Sequence, residues 1–382
     1  AIYITPPEEL PRKFVIDPGS CLHFNGDGCR ACEEICSMKA IDFLQEDVIV
    51  EERVGAIIAA TGYDLIPRET IAEYAEDPDV IDGLQFERIL SPIGPTKGEV
   101  RRPSDGKVAK EVVFISCVGS RDPEHGVPYC SRVFCLYLAK QALLYKRAVP
   151  DGQAYVFYMD IRPDIKGCEE FVQRAVEETG VLYLRGRVSR VFRDGDKIKV
   201  WGADTLSGKS IEISADLVVL ALAMVPRTGA KVMARKLNII CDVDGMLTEA
   251  HPKLRPVETL TAGIFIAGTA QWPRDLPDTI SSATGAACKV LSLFSRKELL
   301  HEPTIASVDE QICAGCGQCV PICAYHAIEI DPRKKVAKVN EALCEGCGAC
   351  AVTCPSGAMS HRNWNFRQFF EMIDASAGEY TW

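Results

Sequence analysis

Cysteine is the residue type in this sequence whose number and spacing could do the most chemistry. The chain has 382 residues and 18 cysteines, and 12 of the cysteines fall into three tight groups of four. The last two groups share the spacing Cys-x2-Cys-x2-Cys-x3-Cys and comprise Cys313, Cys316, Cys319 and Cys323, then Cys344, Cys347, Cys350 and Cys354. Three thiolates on one tight loop, with a fourth on the following helix, form a ligand pattern of 4Fe–4S clusters.

The repetition of this spacing predicts that the two groups exchange their fourth ligands, as in a bacterial two-cluster ferredoxin. One cluster is then held by Cys313, Cys316, Cys319 and Cys354, and the other by Cys344, Cys347, Cys350 and Cys323. Small residues separate the ligands, as a backbone that wraps closely round a cluster requires. Zinc is the alternative because CxxC pairs also build zinc ribbons, but two complete groups and the Pro355 after Cys354 favour clusters.

The first group of cysteines has a looser spacing, with seven residues between its first two members. It has no second group with which to exchange a ligand, so all four thiolates are expected to bind one 4Fe–4S cluster. Zinc is a closer alternative here because the long first interval is irregular. The predicted ligands are Cys21, Cys29, Cys32 and Cys36.

Six cysteines lie outside these groups. Cys117, Cys130 and Cys135 flank a loop containing Gly and Pro and the start of a helix, and they could hold a further cluster if a fourth ligand came from elsewhere. A redox thiol or a structural cysteine is the other interpretation of this group. The three isolated cysteines are expected to be small buried core residues, and they are Cys168, Cys241 and Cys288.

Composition bounds the remaining function classes. With 47% hydrophobic and 25% charged residues, the chain is expected to be globular. A formal net charge of −10 without a basic run argues against general nucleic-acid binding. There is no apolar run long enough for a membrane span and no visible secretory signal at the start. Because the cysteine spacing indicates clusters rather than disulfides, the expected compartment is a reducing, anoxic cytoplasm.

The segments between the cysteine groups alternate apolar strands with helices, which predicts a doubly wound α/β sheet. Buried strands are expected at 54–62, 110–116, 154–159, 181–184, 216–222 and 263–268, with antiparallel strands over 188–200 and 210–213. Helices are expected at 131–147, 166–179, 278–300 and, as an amphipathic tail, 363–373.

Three segments, 55–64, 216–227 and 261–287, resemble flavoproteins of the thioredoxin reductase type, which have two dinucleotide-binding domains. The resemblance implies that the turn at Thr61 and Gly62 contacts FAD and that the N-terminus of a helix faces the isoalloxazine. Thr269 departs from the family, which usually has an Asp there that binds the ribityl chain. The implied cofactor-binding residues are Thr61, Gly62, Gly268, Thr269, Asp278, Thr279 and Ile280.

The strings CVGSRD at 117–122 and YCSRV at 129–133, combined with the cysteine groups, resemble the A subunit of heterodisulfide reductase, which defines an iron–sulfur flavoprotein family. The resemblance implies a cluster site at the Cys117 group, although Phe134 replaces a family cysteine there. It also implies a flavin-binding half that begins with GxGxxG. No GxGxxG occurs in the sequence, so that half is expected to be missing and direct NAD(P)H binding is not expected.

The expected organisation follows from these segments. It comprises an inserted ferredoxin-like segment at 1–50, flavin-binding scaffold at 51–110 and 216–300, a second Rossmann-like domain at 111–215, a two-cluster ferredoxin domain at 301–361 and a tail at 362–382. A thioredoxin-reductase-like scaffold would thus carry the cluster domains. The aromatic tail is expected either to dock on a partner or to cover a cluster.

The expected function is an oxidoreductase subunit that relays single electrons through 4Fe–4S clusters to or from a flavin, with flavin-based bifurcation as an implied possibility. Substrate chemistry would lie on partner redox subunits of a heterodisulfide-reductase-like complex. The alternative is a flavin-less relay and scaffold protein, as in a class II benzoyl-CoA reductase or a quinone-interacting oxidoreductase. A self-contained flavin disulfide reductase would need a CxxC on the scaffold, and every CxxC lies within a cluster group.

Overall fold

The computed structural model describes residues 1–4, 13–74, 76–163, 165–295, 298, 304–323 and 325–378. The predicted ends of two elements, at Leu300 and Trp382, lie outside these ranges.

The strands of the described ranges are β1 (Ile2–Ile4), β2 (Phe14–Ile16), β3 (Ile57–Ala59), β4 (Tyr63–Leu65), β5 (Val80–Asp82), β6 (Glu111–Val118), β7 (Gln153–Tyr158), β8 (Leu182–Arg185), β9 (Val188–Asp194), β10 (Lys197–Asp204), β11 (Lys209–Ala215), β12 (Leu217–Leu222), β13 (Met224–Pro226), β14 (Ile264–Ile266), β15 (Ala306–Val308), β16 (Ile328–Ile330), β17 (Ala337–Val339) and β18 (Met359–His361). The α-helices are α1 (Ala31–Ile35), α2 (Gly83–Leu90), α3 (Phe134–Ala148), α4 (Cys168–Thr179), α5 (Ala230–Leu237), α6 (Leu276–Phe294), α7 (Cys319–Ile322), α8 (Ala349–Thr353) and α9 (Phe366–Gly378).

A five-stranded parallel sheet in the order β5-β12-β6-β7-β8 forms the centre of the chain. Its strands β6 and β12 are nearly continuous runs of buried apolar residues, as strands covered on both faces require. Helices α2 and α3 pack on one face, where Phe86 and Leu138 belong to the same buried cluster as Phe114 and Leu217. The antiparallel strands β9, β10 and β11 cover the other face.

A smaller parallel pair, β3 with β14, forms the second part of the scaffold. Alternate residues of β14 point to opposite faces: Ile266 packs with Ala234 of α5, while Phe265 packs with Ala286 of α6. The antiparallel pair β4–β13 leads from the small sheet toward the central one. The described chain therefore has the expected α/β scaffold in two connected parts.

The C-terminal domain consists of two copies of a unit of about 31 residues, which is the interval between Cys313 and Cys344. Each unit has a strand, a cysteine loop, a short helix and a second strand. The antiparallel pairs are β15 with β18 and β16 with β17, and α7 contacts α8. This arrangement is that of the predicted two-cluster ferredoxin domain.

Four helix starts correct the sequence-based expectation, and two of them are that α3 begins at Phe134 rather than Ser131 and α4 at Cys168 rather than Lys166. Helix α6 begins at Leu276 rather than Asp278, because Asp275 is the N-cap residue and accepts a hydrogen bond from the Asp278 N–H at 2.8 Å. Pro277 in the first turn fits this earlier start, since its missing N–H lies where no partner is needed. Helix α9 begins at Phe366, three residues after the expected start at Asn363. The described elements include no helix with the length and apolar character needed to cross a membrane.

A buried carboxylate joins the two sheets of the central part. Asp216, which follows the end of β11, accepts hydrogen bonds from the backbone N–H groups of Lys110 and Glu111 at 2.9 and 3.0 Å. The ammonium group of Lys197 lies 2.7 Å from the same carboxylate, and the buried Arg102 guanidinium lies 3.6 Å away. Burial alone would raise the pKa of Asp216, but the hydrogen bonds from Lys197 and the two N–H groups outweigh it and lower the pKa.

The variant Asp216→Asn is expected to lower the free energy of unfolding at pH 7 by about 1–3 kcal/mol, because the buried donors lose a charged acceptor. A carboxyl with a depressed pKa stabilises the fold above its unfolded pKa, and this stabilisation is lost as the pH falls through the folded value. Anaerobic urea unfolding should therefore show the two proteins converging in acid. A difference that stayed constant from neutral pH into acid would contradict this role for the charge.

Candidate metal centres and flavin edge

Four cysteines from two different loops line one small cavity in the C-terminal domain. They are Cys313, Cys316, Cys319 and Cys354, the set expected from ligand exchange. The pKa of Cys319 is raised chiefly by burial, and the thiols of the other three members raise it further. A hydrogen bond from Ser356 and neighbouring N–H groups lowers the pKa of Cys354 to about 7, which favours the thiolate that a metal requires.

The second group forms the counterpart of this site. Cys344 and Cys350 are buried, and burial followed by the charges of Cys347 and Cys344 raises the pKa of Cys350 to about 11. Tyr325 lies two residues after Cys323, the expected fourth ligand. Burial is the main cause that raises the pKa of the Tyr325 phenol, and the thiols of Cys347 and Cys323 raise it further. Cys323 as the fourth ligand of this site stays a prediction.

Backbone N–H groups point at the cysteine sulfurs in both sites. The N–H of Ala337 donates to Cys313 Sγ at 3.4 Å, and that of Ala306 donates to Cys344 Sγ at 3.3 Å, so the two bonds are related by the internal repeat. Ala327 N–H donates to Cys323 Sγ at 3.2 Å. Such donors compensate for the negative charge that thiolates and a cluster would bring.

Glycine is required at one position of each loop. Gly315 has φ +63° and Gly346 has φ +64°, and an added Cβ would overlap the carbonyl oxygen of Lys335 in the first case and Thr304 in the second. The backbones therefore approach more closely than any side chain allows. The donor set, the N–H groups and the close-wrapped loops fit 4Fe–4S clusters. Within the described ranges, no three His, Cys, Asp or Glu side chains form a group that could hold a single metal ion, so the fit is to a cluster and not to one ion.

The N-terminal cysteine group shares local geometry with the C-terminal loops. Helices α1, α7 and α8 all end immediately before the fourth cysteine of their group, which is extended in each case. Ala40 N–H donates to Cys36 Sγ at 3.4 Å, as Ala327 does to Cys323. Cys21 is buried, Cys29 is exposed and Cys32 is half-buried. The local fold thus supports the predicted ligand loop, while its cluster remains a prediction.

The three cysteines near the central sheet lie near one another but do not form a group that could hold a single metal ion within the described ranges. Cys117 is the next-to-last residue of β6, has a left-handed conformation with φ +59° and is buried. Burial raises its pKa to about 11, and the thiols of Cys135 and Cys130 lie close enough to raise it further. Cys130 precedes α3 and Cys135 lies in its first turn.

The isolated cysteines are a point on which the sequence-based expectation was wrong. Cys168 and Cys241 are half-buried and Cys288 is exposed on α6, so none of the three is a core residue. The expectation rested on the general tendency of isolated cysteines to be buried, but the helix faces and loop positions that expose these three depend on the tertiary packing.

The residues expected to contact FAD gather at one edge of the small sheet. Strands β3 and β14 are parallel, so Gly62 and Gly268 follow adjacent carboxyl ends. Gly62 has φ +77° with open space where a Cβ would lie, and a Cβ on Gly268 would lie 3.3 Å from Thr279 Cγ2. This open edge, with α6 beginning beside it, fits a flavin. Gly62, Gly268 and Thr279 lie at this edge. Contact with FAD stays a prediction for all seven residues, Thr61, Gly62, Gly268, Thr269, Asp278, Thr279 and Ile280.

A cavity of about 860 Å³ lies along α6, and of the seven predicted residues only Asp278 lines it within the described structure. Its polar wall includes the side chains of Arg132, Arg274 and Lys289, which the sequence analysis did not identify. Arg132 pairs with Asp278 at 2.8 Å, although 146 positions separate them. Such a long-range pair leaves no spacing signal in the sequence.

Comparison with known proteins supports the two-cluster domain at the C-terminal end. Residues 312–358 match the family described as the 4Fe-4S dicluster domain. The A subunit of the H(2):CoB-CoM heterodisulfide,ferredoxin reductase of Methanothermobacter marburgensis is 43% identical over 334 residues, covering 87% of this chain and 50% of that protein. The iron-sulfur A subunit of the CoB–CoM heterodisulfide reductase of Methanocaldococcus jannaschii is 41% identical, covering 86% and 50%.

The chain therefore spans about half the length of the curated relatives that it matches. Among solved structures, the thioredoxin reductase of T. acidophilum is similar with a TM-score of 0.41 and 18% identity, covering 63% of this chain and 65% of that chain. A likeness at this level carries no argument about function.

The variants Gly315→Ala and Gly346→Ala are each expected to cost the protein one cluster, because the new Cβ must displace a carbonyl group that closes the loop. Iron and acid-labile sulfide should fall by roughly a third in each, if each cluster contributes four iron atoms. The matched control is Gly357→Ala, which has φ +68° in the same domain but open space around it, so it carries backbone strain alone. Equal losses in all three variants would contradict the steric explanation.

Proposed function

We propose, because the chain belongs to the family of heterodisulfide reductase A subunits, that it is an electron-transfer iron–sulfur component of a multi-subunit oxidoreductase. The observation that carries this proposal is the cavity in which Cys313, Cys316 and Cys319 meet Cys354 from the neighbouring loop. Clusters bound by such thiolates exchange single electrons. Their number is proposed as three, from the two C-terminal groups and the group at Cys21, Cys29, Cys32 and Cys36.

The cavity at the carboxyl ends of β6 and β7 is poorly suited to the phosphates of NAD(P)H. This favours entry of electrons through clusters or protein partners. In a dinucleotide-binding domain this edge receives the pyrophosphate. Here Val127 N–H donates to the Gly119 carbonyl at 2.8 Å, so the following loop folds back over the turn after β6. Three carboxylates, those of Glu73, Asp122 and Glu124, line the cavity together with one guanidinium, that of Arg187, which pairs with Asp122. The net negative charge would disfavour a phosphate.

The open edge at Gly62 and Gly268 is proposed to hold part of an FAD, with Thr61, Thr269 and the start of α6 completing the contact. A bound flavin supplies exchange between electron pairs and single electrons, the chemistry on which electron bifurcation would depend. This chain's own contribution is to leave space at Gly62 and to shape the edge through the Thr279 contact with Gly268.

A flavin-less relay and scaffold is the second candidate function, and the cap of α6 favours it. Asp275 already occupies the N–H of Asp278, and a carboxylate there partly cancels the positive end of the helix that would favour an anionic flavin. A class II benzoyl-CoA reductase or a quinone-interacting oxidoreductase is the type of complex in which such a protein would act.

The group of Cys117, Cys130 and Cys135 is proposed as a further cluster site that needs a fourth ligand from elsewhere. The proposed partners are redox subunits that carry the donor, the acceptor and the substrate chemistry. Helix α9 offers one place for such contact, since Phe366 and Phe370 on it are 83% and 63% exposed.

Reductive titration of the anaerobically purified chain tests the function. Three 4Fe–4S clusters should take up about three electrons with bleaching of the visible absorbance, and bound FAD should add about two and be released by acid. Uptake without releasable flavin would favour the flavin-less relay. A colourless protein that accepts no electrons would overturn both.

The variant Cys354→Ser is expected to impair the cluster of Cys313, Cys316 and Cys319, although Cys354 lies in the other loop. In EPR spectra of the reduced protein, one cluster signal should be lost or altered and the remaining signals preserved. Cys288→Ser is the matched control, because Cys288 is exposed on α6 and belongs to no group. Impairment of the cluster at Cys344, Cys347 and Cys350 instead would contradict the ligand exchange.

A further inference from the structure

The two C-terminal cluster sites are related by the 31-residue repeat, and among the lining positions at which they differ, one carries an imidazole at the second site only. Ile330, at the end of β16, lines the cavity of the first site and pairs with Ala337. The position related to Ile330 by the repeat is His361, which ends β18 and pairs with Ala306. The N–H groups of Ala337 and Ala306 make equivalent bonds to Cys313 and Cys344. His361 therefore stands at the second site where an apolar side chain stands at the first.

The imidazole of His361 is packed against the loop of the second site. Its Cε1 lies 3.2 Å, and its Nε2 4.0 Å, from the place of a Cβ on Gly348, between Cys347 and Cys350. Nε2 is buried and has no hydrogen-bond partner among the described residues. A buried donor without a partner costs about 1–3 kcal/mol, so an orphaned ring nitrogen beside a ligand loop indicates a partner that belongs to the loaded site.

We propose that His361 donates a hydrogen bond through Nε2 to sulfur of the cluster held by Cys344, Cys347, Cys350 and Cys323, and so raises the reduction potential of this cluster. The inference rests on the proposed function, since it requires both clusters. Hydrogen bonds to the sulfurs are among the factors that set cluster potentials, and they favour the more negative, reduced state.

This hydrogen bond would bias which of the two clusters an added electron occupies. Other differences also act on the two potentials, since Ser356 Oγ lies 3.6 Å from Cys354 Sγ at the first site and Glu345 stands in the second loop where Ala314 stands in the first. The contribution of His361 is to shift the electron toward the second site relative to a chain that has Ile at this position.

The test uses three variants of the intact chain with its clusters: His361→Ile, which copies the first site; His361→Gln, which keeps an N–H donor; and Ile330→His, the reciprocal change. Midpoint potentials of both clusters are measured at one pH by EPR-monitored redox titration. In His361→Ile, the equilibrium constant for reducing one cluster should fall about tenfold, which is about 59 mV for one electron. His361→Gln should retain much of the wild-type potential.

Ile330→His should raise the reduction potential of the first cluster, which Cys313, Cys316, Cys319 and Cys354 are proposed to hold. If His361→Ile fails to assemble its cluster, this result alone tests whether an imidazole at this position raises the potential. Unchanged potentials in all variants, or equal shifts of both clusters in each, would overturn the inference while leaving the electron-transfer function intact. Iron analysis of the wild-type protein separates the two failures, because a chain without iron would sink the proposed function itself.

Discussion

The hydrogen bond from a backbone N–H to a cysteine sulfur is the interaction on which the rest of the C-terminal domain depends. Buried thiolates are costly unless charge and donors surround them. The bonds from Ala306 and Ala337 supply such donors from the strand that opens the opposite repeat unit. Each cysteine loop therefore receives a backbone donor from the other unit. Gly315 and Gly346 allow the close approach that these bonds require.

The scaffold obeys a different constraint, which is the burial of parallel strands on both faces. Strand β12 is buried at every position, so both faces of the central sheet need a cover. Helices α2 and α3 supply one cover and the antiparallel strands supply the other. Asp216 links these layers through a buried charge. The result is a rigid support whose small sheet ends in the open edge at Gly62 and Gly268.

Much of this arrangement could be predicted from the sequence because the relevant signals are local. The cysteine spacing predicted the set that lines the first cavity, including Cys354 from the distant loop. Apolar runs predicted the strands near 111–118 and 217–222. Long-range features could not be predicted in this way. The exposure of Cys288, the cap of α6 by Asp275 and the pairing of Arg132 with Asp278 depend on packing that leaves no pattern in the chain. The placement of His361 emerges only when the two repeat units are superposed in register.

Native mass spectrometry of the anaerobically purified chain tests the central claim most directly, since it weighs the metal centres that the cysteines hold. We expect a mass increase equal to three 4Fe–4S clusters, plus that of FAD if the open edge binds it, and Cys354→Ser should lose one cluster. Masses that correspond to zinc ions bound by the same cysteines, with no inorganic sulfide, would contradict this claim.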